Sequence, residues 1–175
     1  MSTGFLLPAS PILELAGYLS AGGGEGLEAA RRLGPEGTIR TIRESGLRGR
    51  GGAGFPTGYK WQGLVDQQID TTYLVCNAAE GEPGTFKDRA LLRANPYQLL
   101  EGITIAAAAL GVVEAFIGIK GSFTSERTRL ESAAAEMQGA GLLGSIPITI
   151  VPGPEDYLFG EEKALLEVIE GNDPL

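Results

Sequence analysis

The chain has 175 residues, a formal net charge of −8 and 43% hydrophobic residues, enough for one domain with its own core. A pI near 4.6 argues against nucleic acid as a partner, because binding a phosphate backbone needs clustered positive charge. With no histidine and one cysteine, Cys76, the composition excludes histidine-based catalysis, an intrachain disulfide, and a zinc or iron–sulfur site built from these residues alone.

In chain order, residues 1–24 are weakly patterned, lack the charged start and sustained apolar run of a signal peptide, and end in a flexible Ala21-Gly22-Gly23-Gly24 joint. Two short helices follow, 25–33 and 35–45. Pro35 suits a first helical turn and Gly46 a C-terminal stop. Residues 46–61 read as a glycine-rich loop and 59–67 as a short helix. The β-rich run 71–76 predicts a buried strand, and 77–87 a loop. Residues 88–94 read as a helical turn or two, 96–110 as an alanine-rich helix, and 114–120 as a second strand. Thr124 has capping chemistry for an amphipathic helix over 124–139. A third strand is expected at 146–151 and a last helix at 161–170. No apolar run reaches membrane-spanning length; 103–113 reads as part of a buried helix. Residues 1–45 thus form an N-terminal helical segment and 46–175 an α/β domain. Alternating strands and helices imply a mainly parallel sheet flanked by helices. The loops after the strands, 77–87 and 152–160, are expected to converge with the glycine loop on one cleft.

Three motifs carry the chemistry. In the first, Gly49-Arg50-Gly51-Gly52-Ala53-Gly54 is followed by Phe55, Lys60 and Trp61. Glycine backbone approaches a ligand closely, cations favour phosphate, and aromatic faces suit rings. The pattern fits G-x-G-x-x-G, but a helix precedes it where a dinucleotide fold needs a strand. It also fails as a Walker A loop, because Lys60 lies between Tyr59 and Trp61. The second motif runs from Asn77 through Glu80 and Glu82 to Arg89. It offers an amide at a strand end and carboxylates that accept from ribose hydroxyls. The third runs Tyr157-Leu158-Phe159-Gly160-Glu161-Glu162-Lys163. Taken singly, the second also reads as a solvated turn and the third as ordinary first-turn helix charging.

Together, in this order and spacing, the motifs from Arg43 to Gly171 resemble the NADH-binding flavoprotein subunit of respiratory complex I and the related subunits of NAD-linked hydrogenases and formate dehydrogenases. The resemblance implies an FMN-binding domain of that family's fold, with NADH as substrate. It implies that Gly49, Arg50, Gly51, Gly52, Ala53, Gly54 and Lys60 embrace FMN and that Asn77 binds the flavin or its ribityl chain. Phe55 would stack the NADH adenine, Glu82 and Glu162 would contact NADH, Glu80, Gly160 and Glu161 would line the cleft, and Tyr157 would lie near the flavin ring. Hydride would pass from NADH to FMN, and electrons onward to an iron–sulfur cluster outside this chain, held by iron–sulfur subunits of an electron-transfer complex. A cytoplasmic location without direct membrane insertion is expected. Family members continue beyond the matching part, so these residues are expected to be its N-terminal, FMN-binding portion.

Three departures stand out. Ala79 replaces an aspartate of the resembled pattern, and a lost charge-assisted hydrogen bond costs about 1.5–3 kcal/mol, so restoring aspartate is expected to raise FMN affinity. Phe159 and Lys163 replace a cysteine and a threonine. These motivate a rival reading, a non-catalytic scaffold module. A third, ATP binding or phosphoryl transfer, lacks an evident magnesium-ligand pattern.

Overall fold

Three apolar runs become three parallel strands in the computed structural model, which describes residues 6–50 and 52–174. They are β1 (Tyr73–Ala78), β2 (Glu114–Lys120) and β3 (Ile148–Gly153), in the order β1-β2-β3. Tyr73 lies opposite Glu114 and Ala115 opposite Ile148. Parallel neighbours need long crossovers. Helices α4 (Lys87–Ala94) and α5 (Pro96–Leu110) join β1 to β2, and α6 (Thr124–Gly139) joins β2 to β3. The expected α/β class, a parallel sheet flanked by helices, is the observed one. Strands β1 and β3 each lie two residues later than their sequence runs, because pairing with β2 sets their limits. Asn77 and Ala78 therefore belong to a strand, not to the loop after it.

Alternation along β2 sorts its residues onto two faces. Ala115, Ile117 and Ile119 are fully buried in one cluster with Leu100 and Ile103 of α5 and Leu130, Ala133 and Met137 of α6. Burying each large apolar side chain contributes roughly 1.5–3 kcal/mol. The other face carries Phe116, Gly118 and Lys120. Helix α7 (Glu162–Ile169) and the 3-10 turn before it, Tyr157–Gly160, press against this face. A Cβ on Gly118 would lie 2.2 Å from Leu165 Cδ1, and one on Gly153 would lie 2.1 Å from the Phe159 ring. Glycine at both positions makes that approach possible.

The N-terminal segment contains α1 (Leu15–Ser20), which the sequence pattern does not predict, and α2 (Glu25–Glu44). Helix α1 is held by tertiary contacts. Leu15 N donates to Glu136, Arg129 donates to the carbonyls of Ile12 and Leu13, and the Tyr18 ring stacks on Tyr97. Helix α2 breaks at Gly34, where φ is +68°. Pro35 follows, so the break falls at the boundary between the two helices expected there. The start of α2 is capped by a residue of α5: Glu101 accepts from Gly24 N at 2.7 Å, from Leu27 N at 2.9 Å and from the Tyr18 hydroxyl. Thr124 does not cap α6 as expected. Phe123 occupies the cap position, its side chain makes no capping hydrogen bond, and Thr124 is already inside the first turn. Among the described residues no helix is long and apolar enough to cross a membrane.

Helix α3 (Thr57–Asp66) starts directly against α2. A Cβ on Gly58 would lie 2.4 Å from Arg43 Cα, and backbone cannot yield as a flexible side-chain tip can. Gly58→Ala is therefore expected to push α3, with Lys60, away from α2 at a cost of about 1–3 kcal/mol. A thermal melt would show the lowered midpoint; an unchanged midpoint would contradict the close approach.

Candidate functional site

The carboxyl ends of β1 and β3 deliver two loops to one place, where parallel sheets bind ligands. Asn77 joins them: its Nδ2 donates to the Gly160 carbonyl at 2.7 Å, and its Oδ1 accepts from Ala79 N at 3.0 Å. One amide N–H and one lone pair are left for a ligand. A Cβ on Gly160 would lie 3.0 Å from the Ala79 carbonyl oxygen, so the contact depends on glycine. Across the same junction the Tyr157 hydroxyl donates to Glu82 at 2.8 Å. That hydrogen bond and the Glu82 charge raise the Tyr157 phenol above its ordinary value, with a smaller push from Glu161. Glu161 and Glu162 follow at the start of α7, both exposed.

Glu80 lies inside this junction, with its side chain 3% exposed. Its Oε1 accepts from Lys87 N at 2.9 Å, at the start of α4, where the helix dipole favours a carboxylate. Its Oε2 is buried and, among the described residues, has no hydrogen-bond partner. A buried acceptor without a donor costs about 1–3 kcal/mol, and a ligand N–H or hydroxyl there would remove that cost.

Sequence reasoning missed a cluster at the end of β2. The Glu155 carboxylate accepts from Ser122 N at 2.8 Å and from Ser122 Oγ at 2.6 Å. These bonds hold the Glu155 carboxyl below the usual carboxylate range. The buried Lys120 donates from Nζ to the Glu155 backbone oxygen at 2.9 Å. The available signal was a cation closing an apolar strand.

Position 79 does not face a polar cleft. Ala79 is 1% exposed and clusters with Phe159 and Leu165. The expectation that aspartate at 79 simply restores a flavin contact is therefore corrected. A carboxylate there would be buried beside an aromatic ring, and the departures at 79 and 159 share one packing volume.

The glycine loop closes on itself. Gly49 N donates to the Phe55 carbonyl at 2.9 Å, Thr57 N to the Leu47 carbonyl at 2.9 Å, and the Arg48 guanidinium to the Gly54 carbonyl at 3.0 Å. Gly51 lies outside the described residues. Among the described residues, the N–H groups of Arg50, Gly52, Ala53, Gly54 and Phe55 make no hydrogen bond, and Arg50 and Lys60 make no ion pair. A Cβ on Gly52 or Gly54 would meet nothing within 4 Å, and the Phe55 ring is 58% exposed. The structure thus joins the two strand-end loops. No hydrogen bond or ion pair among the described residues ties the glycine loop to them, because α2 and α3 carry it and both pack against α5. Of the nearby cations, Lys87 pairs with Asp88 and Arg89 with Glu126.

This donor set fits a flavin nucleotide. The unengaged N–H groups with Arg50 and Lys60 suit a phosphate, and the orphaned Glu80 oxygen suits a ring N–H or a hydroxyl.

The comparisons with known proteins agree with one another. A family described as Nuo51 FMN-binding domain matches residues 42–174. A Streptomyces coelicolor protein, one of the subunits of NADH-quinone oxidoreductase, is 46% identical over 157 residues, covering 85% of this chain and 35% of that protein. Its counterpart in Rhizobium meliloti is 42% identical over 166 residues, covering 90% and 39%. The crystal structure of an NAD+-reducing NiFe hydrogenase in the H2-reduced state superposes with a TM-score of 0.75 at 38% identity, covering 81% of this chain and 25% of that one. The chain therefore spans less than two fifths of the curated relatives named here. With sheet, strand-end loops and sequence in agreement, the chain belongs to the Nuo51 FMN-binding domain family.

Proposed function

We propose that this chain holds FMN and oxidises NADH, as the flavin-bearing portion of a flavoprotein that passes electrons to iron–sulfur partners. The observation that carries the reading is the junction of the two strand-end loops, which brings Glu80, Glu82 and Tyr157 together at the carboxyl end of the sheet. Bound FMN supplies the chemistry, accepting hydride from NADH and releasing electrons singly.

The protein binds and orients. Arg50, Lys60 and the unengaged N–H groups of Gly52, Ala53 and Gly54 hold phosphate, with Gly49 and Gly51 keeping the loop free of side chains. Glu80 Oε2 accepts from a flavin N–H or a ribityl hydroxyl, and Asn77 contributes its remaining amide N–H. Glu82 and Glu162 accept from NADH hydroxyls, Phe55 offers a face to the adenine, and Tyr157, Gly160 and Glu161 wall the cleft. Residues 46–175 are assigned as the binding domain and 1–45 as the N-terminal segment, whose helices α1 and α2 pack against α6 and α5. None of these steps needs histidine, which the sequence lacks, or the single thiol, that of Cys76.

The test is anaerobic addition of NADH to the FMN-loaded chain, followed by ferricyanide. Bleaching of the flavin absorbance, then turnover with ferricyanide, is expected. Flavin that binds but stays oxidised would favour the scaffold reading instead.

A further inference from the structure

Lys120 ends the central strand and is only 8% exposed. Its ammonium carries three N–H donors. Among the described residues one hydrogen bond engages it, to the Glu155 backbone oxygen, and no carboxylate lies within 4.0 Å. The Glu155 carboxylate, which Lys120 does influence, is itself taken up by Ser122. The ammonium lies where the strand-end loops cross: a Cβ on Gly81 would be 3.5 Å from Lys120 Nζ and 3.4 Å from the Tyr157 carbonyl oxygen. A buried cation with unengaged donors is unfavourable unless an anion or a strong acceptor meets it. The exposed Arg50 and Lys60 face no such demand, because water solvates them.

We propose that Lys120 donates to an acceptor oxygen of the flavin nucleotide at the junction of the two strand-end loops. This rests on the FMN reading above. Two parts of FMN offer such an oxygen, the anionic phosphate and the carbonyls on the pyrimidine edge of the ring, and riboflavin, which lacks the phosphate, separates them.

The experiment titrates FMN and riboflavin into the unsubstituted chain and into Lys120→Gln and Lys120→Arg. Lys120→Gln is expected to weaken FMN binding about ten- to a hundredfold, and Lys120→Arg to stay close to the unsubstituted chain. Loss confined to FMN places the contact on the phosphate; loss with both ligands places it on the ring. Unchanged FMN affinity in Lys120→Gln, with the unsubstituted chain binding FMN, overturns the proposal. A chain that binds no FMN before any substitution overturns the functional reading instead. If Lys120→Gln does not fold, lysine-ammonium NMR of the unsubstituted chain decides. The resonance absent from Lys120→Arg must shift on FMN saturation, and an unmoved resonance overturns the contact.

Discussion

Replacing Phe159 with alanine is expected to lower stability by about 3–5 kcal/mol and to weaken FMN binding in the same variant. The ring is fully buried, and Ala79, Gly118 and Gly153 leave the space it fills. It anchors the 3-10 turn that carries Tyr157 and Gly160, so losing it frees both contacts that join the strand-end loops, Asn77 to Gly160 and Tyr157 to Glu82. Urea unfolding checks the first effect and an FMN titration below the unfolding transition checks the second. The same packing governs position 79. Ala79→Asp is expected to destabilise the chain beside Phe159, and less so in combination with Phe159→Cys. The coupling is expected at about 0.5–3 kcal/mol. Additive effects would contradict a shared volume.

Glu126→Gln is expected to be similarly disruptive. Glu126 is 1% exposed and sits between Arg89 Nε at 2.8 Å and Arg93 Nη2 at 2.6 Å, with Ser125 Oγ donating at 2.7 Å. These bonds tie α4 to α6, and Arg89 also lies over the Phe123 ring. Burial pushes the Glu126 carboxyl up, but Arg89, Ser125 and backbone hydrogen bonding outweigh it and bring the value down to about 2. A carboxyl lowered on folding adds stability that is fully present above its ordinary value of 4.5 and disappears as pH falls toward about 2. The contribution is on the order of 2–3 kcal/mol, moderated because both arginines are partly exposed. Denaturation measured from about pH 6 down to about pH 2 should show a falling stability that Glu126→Gln flattens, starting from a lower value at the upper end. Parallel curves for the two proteins would contradict the assignment.

The strands and most helices were legible because apolar runs, alanine-rich stretches and the Gly34-Pro35 break are local signals. The joining of the strand-end loops was legible from strand ends alone. What escaped is non-local. The α2 cap comes from Glu101, 74 residues beyond Leu27. Helix α1 has too little periodicity to announce itself and depends on Glu136 and Arg129. Glu126 and Lys120 read as ordinary charges until tertiary packing buries them. Thr124 had the right chemistry for a cap, but the chain enters α6 one residue earlier. The glycine loop shows the same limit: its residue types speak for a phosphate, while its attachment to α2 and α3 decides where it sits.

Whether the chain holds FMN at all is decided by titrating the 175-residue protein with the flavin and following its fluorescence. Saturable quenching at micromolar FMN with one flavin per chain is expected, weakened in a Glu80→Gln variant that removes the charge of the carboxylate whose Oε2 is unpartnered among the described residues. Flavin fluorescence that stays unquenched by the folded chain would contradict the FMN site.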